Sequence, residues 1–106
     1  AVEVSEKMMD VVGAVSGSSP AFVFLFIEAL ADGAVAEGMP RAQAYEFAAQ
    51  AVLGSAKLVL ETGSHPGELK DMVCSPGGTT IQGIKMLEKN NFRGTVITCV
   101  EKSRKM

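Results

Sequence analysis

One stretch of the 106-residue chain restricts its fold more than any other, because it predicts a helix that is apolar on every side. The helix begins at Pro20, whose missing backbone N–H suits a first helical position, and Gly17, Ser18 and Ser19 precede it as a capping sequence. It runs to about Glu37, and its first half is almost entirely large and apolar: Phe22, Val23, Phe24, Leu25, Phe26, Ile27 and Leu30. A helix without a polar face has to be surrounded by protein.

A second long helix is predicted from about Arg41 to Thr62, between Pro40 and Gly63. With about 100° between successive residues, its polar side chains fall in a sector of about 60°: Gln43, Glu46, Gln50, Lys57 and Glu61. Two such helices carry more apolar surface than a monomer of this size covers. We therefore predict an obligate oligomer, most simply a dimer with interleaved helices. A monomeric bundle, in which the short helices cover the two long ones, is the alternative.

The rest of the chain predicts short helices, so the expected fold class is all-α. Val2 and Val4 alternate with polar residues, a short extended signal before the first helix. The short helices are predicted at Lys7 to Val15, Glu68 to Val73, Ser75 to Lys89 and Phe92 to Lys105.

Composition argues against several classes of function. A formal net charge of −2 offers no basic excess for a nucleic-acid partner. The two cysteines, Cys74 and Cys99, lie far apart in the sequence, and the chain has a single histidine, so no metal site is expected. Two widely spaced cysteines also favour a reduced, cytoplasmic setting. The sequence contains no secretory signal pattern. The apolar run Ala21–Ile27 is shorter than the roughly 20 residues of a membrane span, so no membrane partner is expected.

The segment from Ser75 to Thr80, Ser-Pro-Gly-Gly-Thr-Thr, is the best candidate for a ligand-binding or catalytic site. Ser75 suits an N-cap and Pro76 a first helical position, so the two glycines would leave the first-turn amides uncovered. Such a helix start carries a partial positive charge and holds a carboxylate or phosphate without lysine or arginine. An ordinary cap, with close helix packing through the glycines, explains the same residues equally well.

Other polar residues are weaker candidates. His65 precedes Pro66 and is interpreted as a surface turn residue rather than a catalytic one. Cys74 has no evident base partner and is interpreted as a packed neutral thiol. Glu28 and Asp32 lie four residues apart, but both are acidic and need separate partners.

The sequence from Asp71 to Ile81, Asp-Met-Val-Cys-Ser-Pro-Gly-Gly-Thr-Thr-Ile, resembles the signature of the pyrroline-5-carboxylate reductase family. Three more segments agree in that family's order: Val15 to Phe22, Glu28 to Gly33 and His65 to Asp71. The resemblance implies an interlocked, dimeric helical bundle of the 6-phosphogluconate dehydrogenase C-terminal type. Residues 1–106 would be one dimerisation and substrate-binding domain, without the N-terminal Rossmann domain. No Gly-x-Gly-x-x-Gly fingerprint occurs in the chain.

The resemblance also implies a reaction, the reduction of 1-pyrroline-5-carboxylate to L-proline with NADPH or NADH, in a homodimer or a larger ring. The isolated chain would be inactive. The implied substrate-binding residues are Ser75, Gly77, Gly78, Thr79 and Thr80, with Thr80 also catalytic near the ring nitrogen. Val73 and Pro20 would line the nicotinamide pocket. Two alternatives stay open, a non-catalytic helical oligomerisation module and the helical half of another Rossmann-type dehydrogenase. The second would favour a catalytic lysine on a long helix, and Lys57 is available but lies on the solvated stripe.

Overall fold

The computed structural model describes residues 5–104, which contain helices and no strand, so the all-α prediction is confirmed. The extended signal at Val2 and Val4, and the predicted helix end at Lys105, lie outside the described residues. The helices are α1 (Met9–Val12), α2 (Ser19–Ala36), α3 (Arg41–Thr62), α4 (Pro66–Met72), α5 (Thr79–Lys89) and α6 (Phe92–Ser103).

The helical backbone continues without a break from Glu6 to Ala36, so the predicted helix boundary at Gly17–Pro20 is wrong. A 3₁₀ turn, Glu6–Met8, precedes α1, and a π-helical segment, Gly13–Ser18, joins α1 to α2. Pro20 has no N–H to donate and its ring crowds the preceding turn. The wider π turn accommodates it, while the hydroxyl of Ser19 donates to the carbonyl of Ala14 at 3.2 Å instead of capping a new helix.

This continuous helix is longer than the apolar run on which the expectation of no membrane-spanning segment rests. It has 31 residues and a window of mean hydropathy 1.6, so by length and composition it could cross a membrane. The core helix of a water-soluble assembly passes the same test. Only 6% of the window is buried within the single chain.

Helices α2 and α3 form an antiparallel hairpin held together by alanines. The chain reverses at Gly38, where φ is +106°, a backbone conformation that favours glycine. Ala31 and Ala44 are completely buried between the helices, and Ala48 is 7% exposed. Such small side chains let two helices approach closely. Helix α6 reaches α2 through a tilted contact of Phe26 with Phe92, whose ring centroids are 6.3 Å apart.

Large apolar side chains contribute little to this core. None of them is fully buried among the described residues, and several are more than half exposed: Phe24, Leu25, Phe47, Leu53, Leu60, Met72, Val73, Met86 and Ile97. The accessible surface is 8486 Å², whereas a compact monomer of 11.1 kDa exposes about 5,700 Å². The radius of gyration is 15.9 Å, against about 13 Å for a compact domain of this length. The chain therefore exposes far more surface than a compact monomer of its mass, and large apolar side chains are part of it.

Candidate functional site

A four-residue turn, Ser75 to Gly78, joins α4 to α5. The N–H of Gly78 donates to the carbonyl of Ser75 at 3.0 Å, which closes the turn. Pro76 occupies its second position, and Gly77 occupies its third with φ at +68°. Proline followed by a residue with positive φ is the pattern of a type II β-turn, so glycine is needed at position 77.

Because of this turn, α5 begins at Thr79 with Gly78 as its N-cap, and the predicted helix start at Ser75 is wrong. A helix from Ser75 would have placed two consecutive glycines in its first turn, and glycine loses more conformational freedom on folding than any other residue. The correction changes which amides are free. The Gly78 N–H is occupied by Ser75, whereas the N–H groups of Thr79, Thr80 and Ile81 have no hydrogen-bond partner within residues 5–104.

The turn and the start of α5 are accessible. Ser75, Gly77, Thr79 and Thr80 are exposed, and Gly78 is half-buried. The three free amides and the positive end of the helix favour a small anion, and the serine and threonine hydroxyls add groups that donate or accept. The structure thus brings five of the predicted site residues together on one open surface. Whatever encloses a ligand there has to come from outside residues 5–104.

The two residues predicted to line a nicotinamide pocket lie on different elements. Val73 follows α4 directly, two positions before Ser75, and is 65% exposed. Pro20 lies in the first turn of α2 and is also exposed. Both residues are accessible to another domain or chain, and Val73 adjoins the Ser75 turn along the sequence.

His65 has a role that the sequence reading missed. It is exposed, as predicted, but its Nδ1 accepts a hydrogen bond from the N–H of Gly67 at 2.9 Å and so caps the start of α4. The signal for this cap was present, because His65 directly precedes Pro66, and proline favours the first position of a helix.

The remaining candidates from the sequence include Asp32 and the two cysteines. Asp32 accepts a hydrogen bond from Arg41 at 2.8 Å across the α2–α3 hairpin, and this bond raises the pKa of Arg41. Cys74 and Cys99 are free, half-buried thiols. Within residues 5–104, no three histidine, cysteine or acidic side chains come together in a cluster that could hold a metal ion.

Comparison with known proteins decides the family. Residues 6–106 match the sequence model described as pyrroline-5-carboxylate reductase dimerisation. The chain belongs to this family. The resemblance noted in the sequence is therefore confirmed.

Members of the pyrroline-5-carboxylate reductase family are similar over nearly the whole chain. The Escherichia coli K12 protein of that name is 65% identical over 97% of the chain, and the Methanosarcina acetivorans protein is 61% identical over 94%. The chain spans only 40% and 37% of the length of these two relatives.

Two crystal structures have the same fold. The Streptococcus pyogenes reductase superposes with a TM-score of 0.92 at 43% identity, over 96% of this chain and 39% of that one. The Plasmodium falciparum reductase, determined with NADP bound, gives 0.90 at 41% identity, again over 96% and 39%.

Proposed function

We propose that this chain is the dimerisation and substrate-binding part of a pyrroline-5-carboxylate reductase of the cytoplasm. The complete protein would reduce 1-pyrroline-5-carboxylate to L-proline with NADPH or NADH. Membership of the family and the reductase names of relatives up to 65% identical support the proposal. The single observation that carries it is the open helix start after the Ser75 turn, since the substrate offers the kind of small carboxylate that three free amides bind.

In this proposal the N–H groups of Thr79, Thr80 and Ile81 hold the substrate carboxylate, and the Ser75 hydroxyl donates to the same group. The amide of Gly78 plays no direct part, because it closes the turn. Gly77 and Gly78 instead shape the turn that brings Ser75 beside the start of α5. The hydroxyl of Thr80 lies near the ring nitrogen, where it orients the imine as that nitrogen takes up a proton.

When bound, the nicotinamide would supply a hydride to the imine carbon. The sequence of this chain has no glycine fingerprint for the pyrophosphate of the nucleotide. Only Pro20 and Val73 are proposed to touch the nicotinamide, and both are exposed enough to do so. The nucleotide would be held mainly by a Rossmann domain outside residues 1–106.

The proposed assembly is a homodimer with interlaced helices, or a larger ring built from such dimers. Its support is physical. The chain exposes about 2,800 Å² more than a compact monomer of its mass, and large interfaces of this kind are typical of obligate dimers. The most apolar helix, α2, has no large side chain that is fully buried within its own chain.

The proposal is tested by assaying the full-length protein for L-proline formed from 1-pyrroline-5-carboxylate with NADPH or NADH. For Thr80→Ala we expect kcat/KM to fall by about 10²–10³, the usual effect of removing one preorganised hydrogen-bond group. Thr98→Ala is the matched control, because it makes the same change at an exposed position of α6.

Three results would contradict the proposal. One is a full-length protein without this turnover. Another is Thr80→Ala with the parent kinetics, which would remove Thr80 from the mechanism. The last is robust turnover by residues 1–106 alone, because the proposal assigns the nucleotide site to a separate domain.

A further inference from the structure

The histidine cap of α4 is connected to the Ser75 turn by a short series of backbone hydrogen bonds. His65 accepts from Gly67 at one end of α4. At the other end, the N–H of Val73 donates to the carbonyl of Lys70 at 3.1 Å, and that of Cys74 to Asp71 at 3.2 Å. Ser75 comes next and closes the turn with Gly78. The orientation of α4 therefore sets where the turn begins.

Little else fixes that orientation within the chain. Helix α4 has seven residues, a length at which an isolated helix is marginal in water. It packs only loosely on the other elements, across an open groove of about 350 Å³ that separates it from α5 and α6. Local hydrogen bonds thus carry an unusually large share of its stability, and the His65 cap is the only side-chain bond among them in the described residues.

We propose that His65 is a positioning residue for the carboxylate-binding turn, acting through the cap of α4. This inference rests on the proposed function. His65 lies about 10 Å from the end of α4, the length of a seven-residue helix, so it acts on the turn and not on the substrate. The imidazole also packs tightly on Gly67, where an added Cβ would lie 3.0 Å from Nδ1.

The cap depends on the protonation state of His65, because Nδ1 accepts a hydrogen bond only while it carries no proton. The charged groups that share its groove are Lys70 on α4, Glu88 on α5 and Arg93 on α6. Arg93 is paired with Glu88 at 3.0 Å, and Lys70 lies 3.5 Å from Asp71. An asparagine oxygen at position 65 would accept the same hydrogen bond from the N–H of Gly67.

The test compares His65→Ala, His65→Gly and His65→Asn in the full-length protein. Asparagine is a strong N-cap, and glycine loses much less than alanine. We expect alanine to raise KM for 1-pyrroline-5-carboxylate by up to about fivefold, the equilibrium equivalent of one helix cap, with kcat unchanged. Asparagine should retain the parent KM and glycine should fall between.

Rescue by asparagine separates capping from a merely structural role, because asparagine restores an acceptor for the N–H of Gly67 and alanine does not. An unchanged KM in the alanine variant, or an equal rise in the alanine and asparagine variants, would overturn the proposal.

Hydrogen–deuterium exchange on the same proteins gives a readout that does not require turnover. Residues 75–80 should exchange faster in the alanine variant than in the asparagine variant. If the parent forms no L-proline but this difference is present, the reaction is wrong and the positioning role stands. If turnover is present and exchange at residues 75–80 is equal in all variants, the positioning role is wrong.

Discussion

Replacing Phe24 tests whether the exposed apolar surface is an interface between two copies. Phe24 lies in the first half of α2 and is 68% exposed in the single chain. A phenylalanine buries about 150–250 Å², so an interface would cover roughly 100–170 Å² more of it. At about 25 cal/mol per Å², and allowing for the Cβ that alanine retains, Phe24→Ala removes about 2–3 kcal/mol per copy.

In a two-fold symmetric dimer the loss occurs twice, because each copy presents the same residue to the interface. The total of about 4–6 kcal/mol corresponds to a dimer dissociation constant raised by about 10³–10⁴. Sedimentation equilibrium over a wide concentration range measures this change directly. Glu61→Ala, on the exposed polar side of α3, is the control and should leave the constant unchanged.

Either of two results would refute this reasoning. A parent protein that sediments as a stable monomer would show that the exposed surface needs no second copy. A Phe24→Ala protein with the parent's dissociation constant would show that α2 does not contribute to the interface.

Three further predictions concern stability and are measured by urea unfolding. Gly77→Ala should lower the free energy of unfolding by about 1–2 kcal/mol through its positive φ alone, since an added Cβ there meets no atom within 4 Å. Gly83→Ala, within α5, should raise that free energy by about 0.5–1 kcal/mol, and the reverse order would contradict the turn. Ala44→Leu should lower the free energy of unfolding by about 1–3 kcal/mol, because the larger side chain overfills the α2–α3 contact. Ala42→Leu, at an exposed position, should leave it unchanged, and equal losses in the two variants would contradict the alanine contact. Arg41→Ala should destabilise only at low ionic strength, because its ion pair is exposed; a loss that persists in high salt would contradict this.

The sequence predicted α3 to the residue, because both of its ends have strong local signals. Pro40 precedes its first residue, and Gly63 follows its last with φ at +67°, the left-handed conformation that ends many helices. The start of α2 could not be predicted in the same way. Proline is common at a first helical position, but Pro20 lies within a continuous helix that a π turn widens, and residue preferences do not distinguish the two cases.

The candidate site was predicted in its residues but not in its geometry. Ser75 followed by Pro76 suits both an N-cap with a first helical residue and the first two positions of a β-turn. The choice between them depends on Gly77 and Gly78, which favour the turn, and the free amides consequently move to Thr79 and its neighbours. Contacts between copies have no local spacing in a sequence, so the pattern indicated a covered surface without showing what covers it.

The structure divides the chain into a part suited to assembly and a part suited to ligand binding. Alanines make the α2–α3 contact, which leaves the large side chains of both helices for contacts outside the chain. The turn between α4 and α5 depends on local hydrogen bonds instead. The two parts should therefore respond separately. Phe24→Ala should lower the mass measured in solution without changing the hydrogen exchange of residues 75–80 in the dissociated chain. His65→Ala should raise the hydrogen exchange of residues 75–80 without changing the mass. A His65→Ala protein that dissociates would mean that α4 itself belongs to the interface.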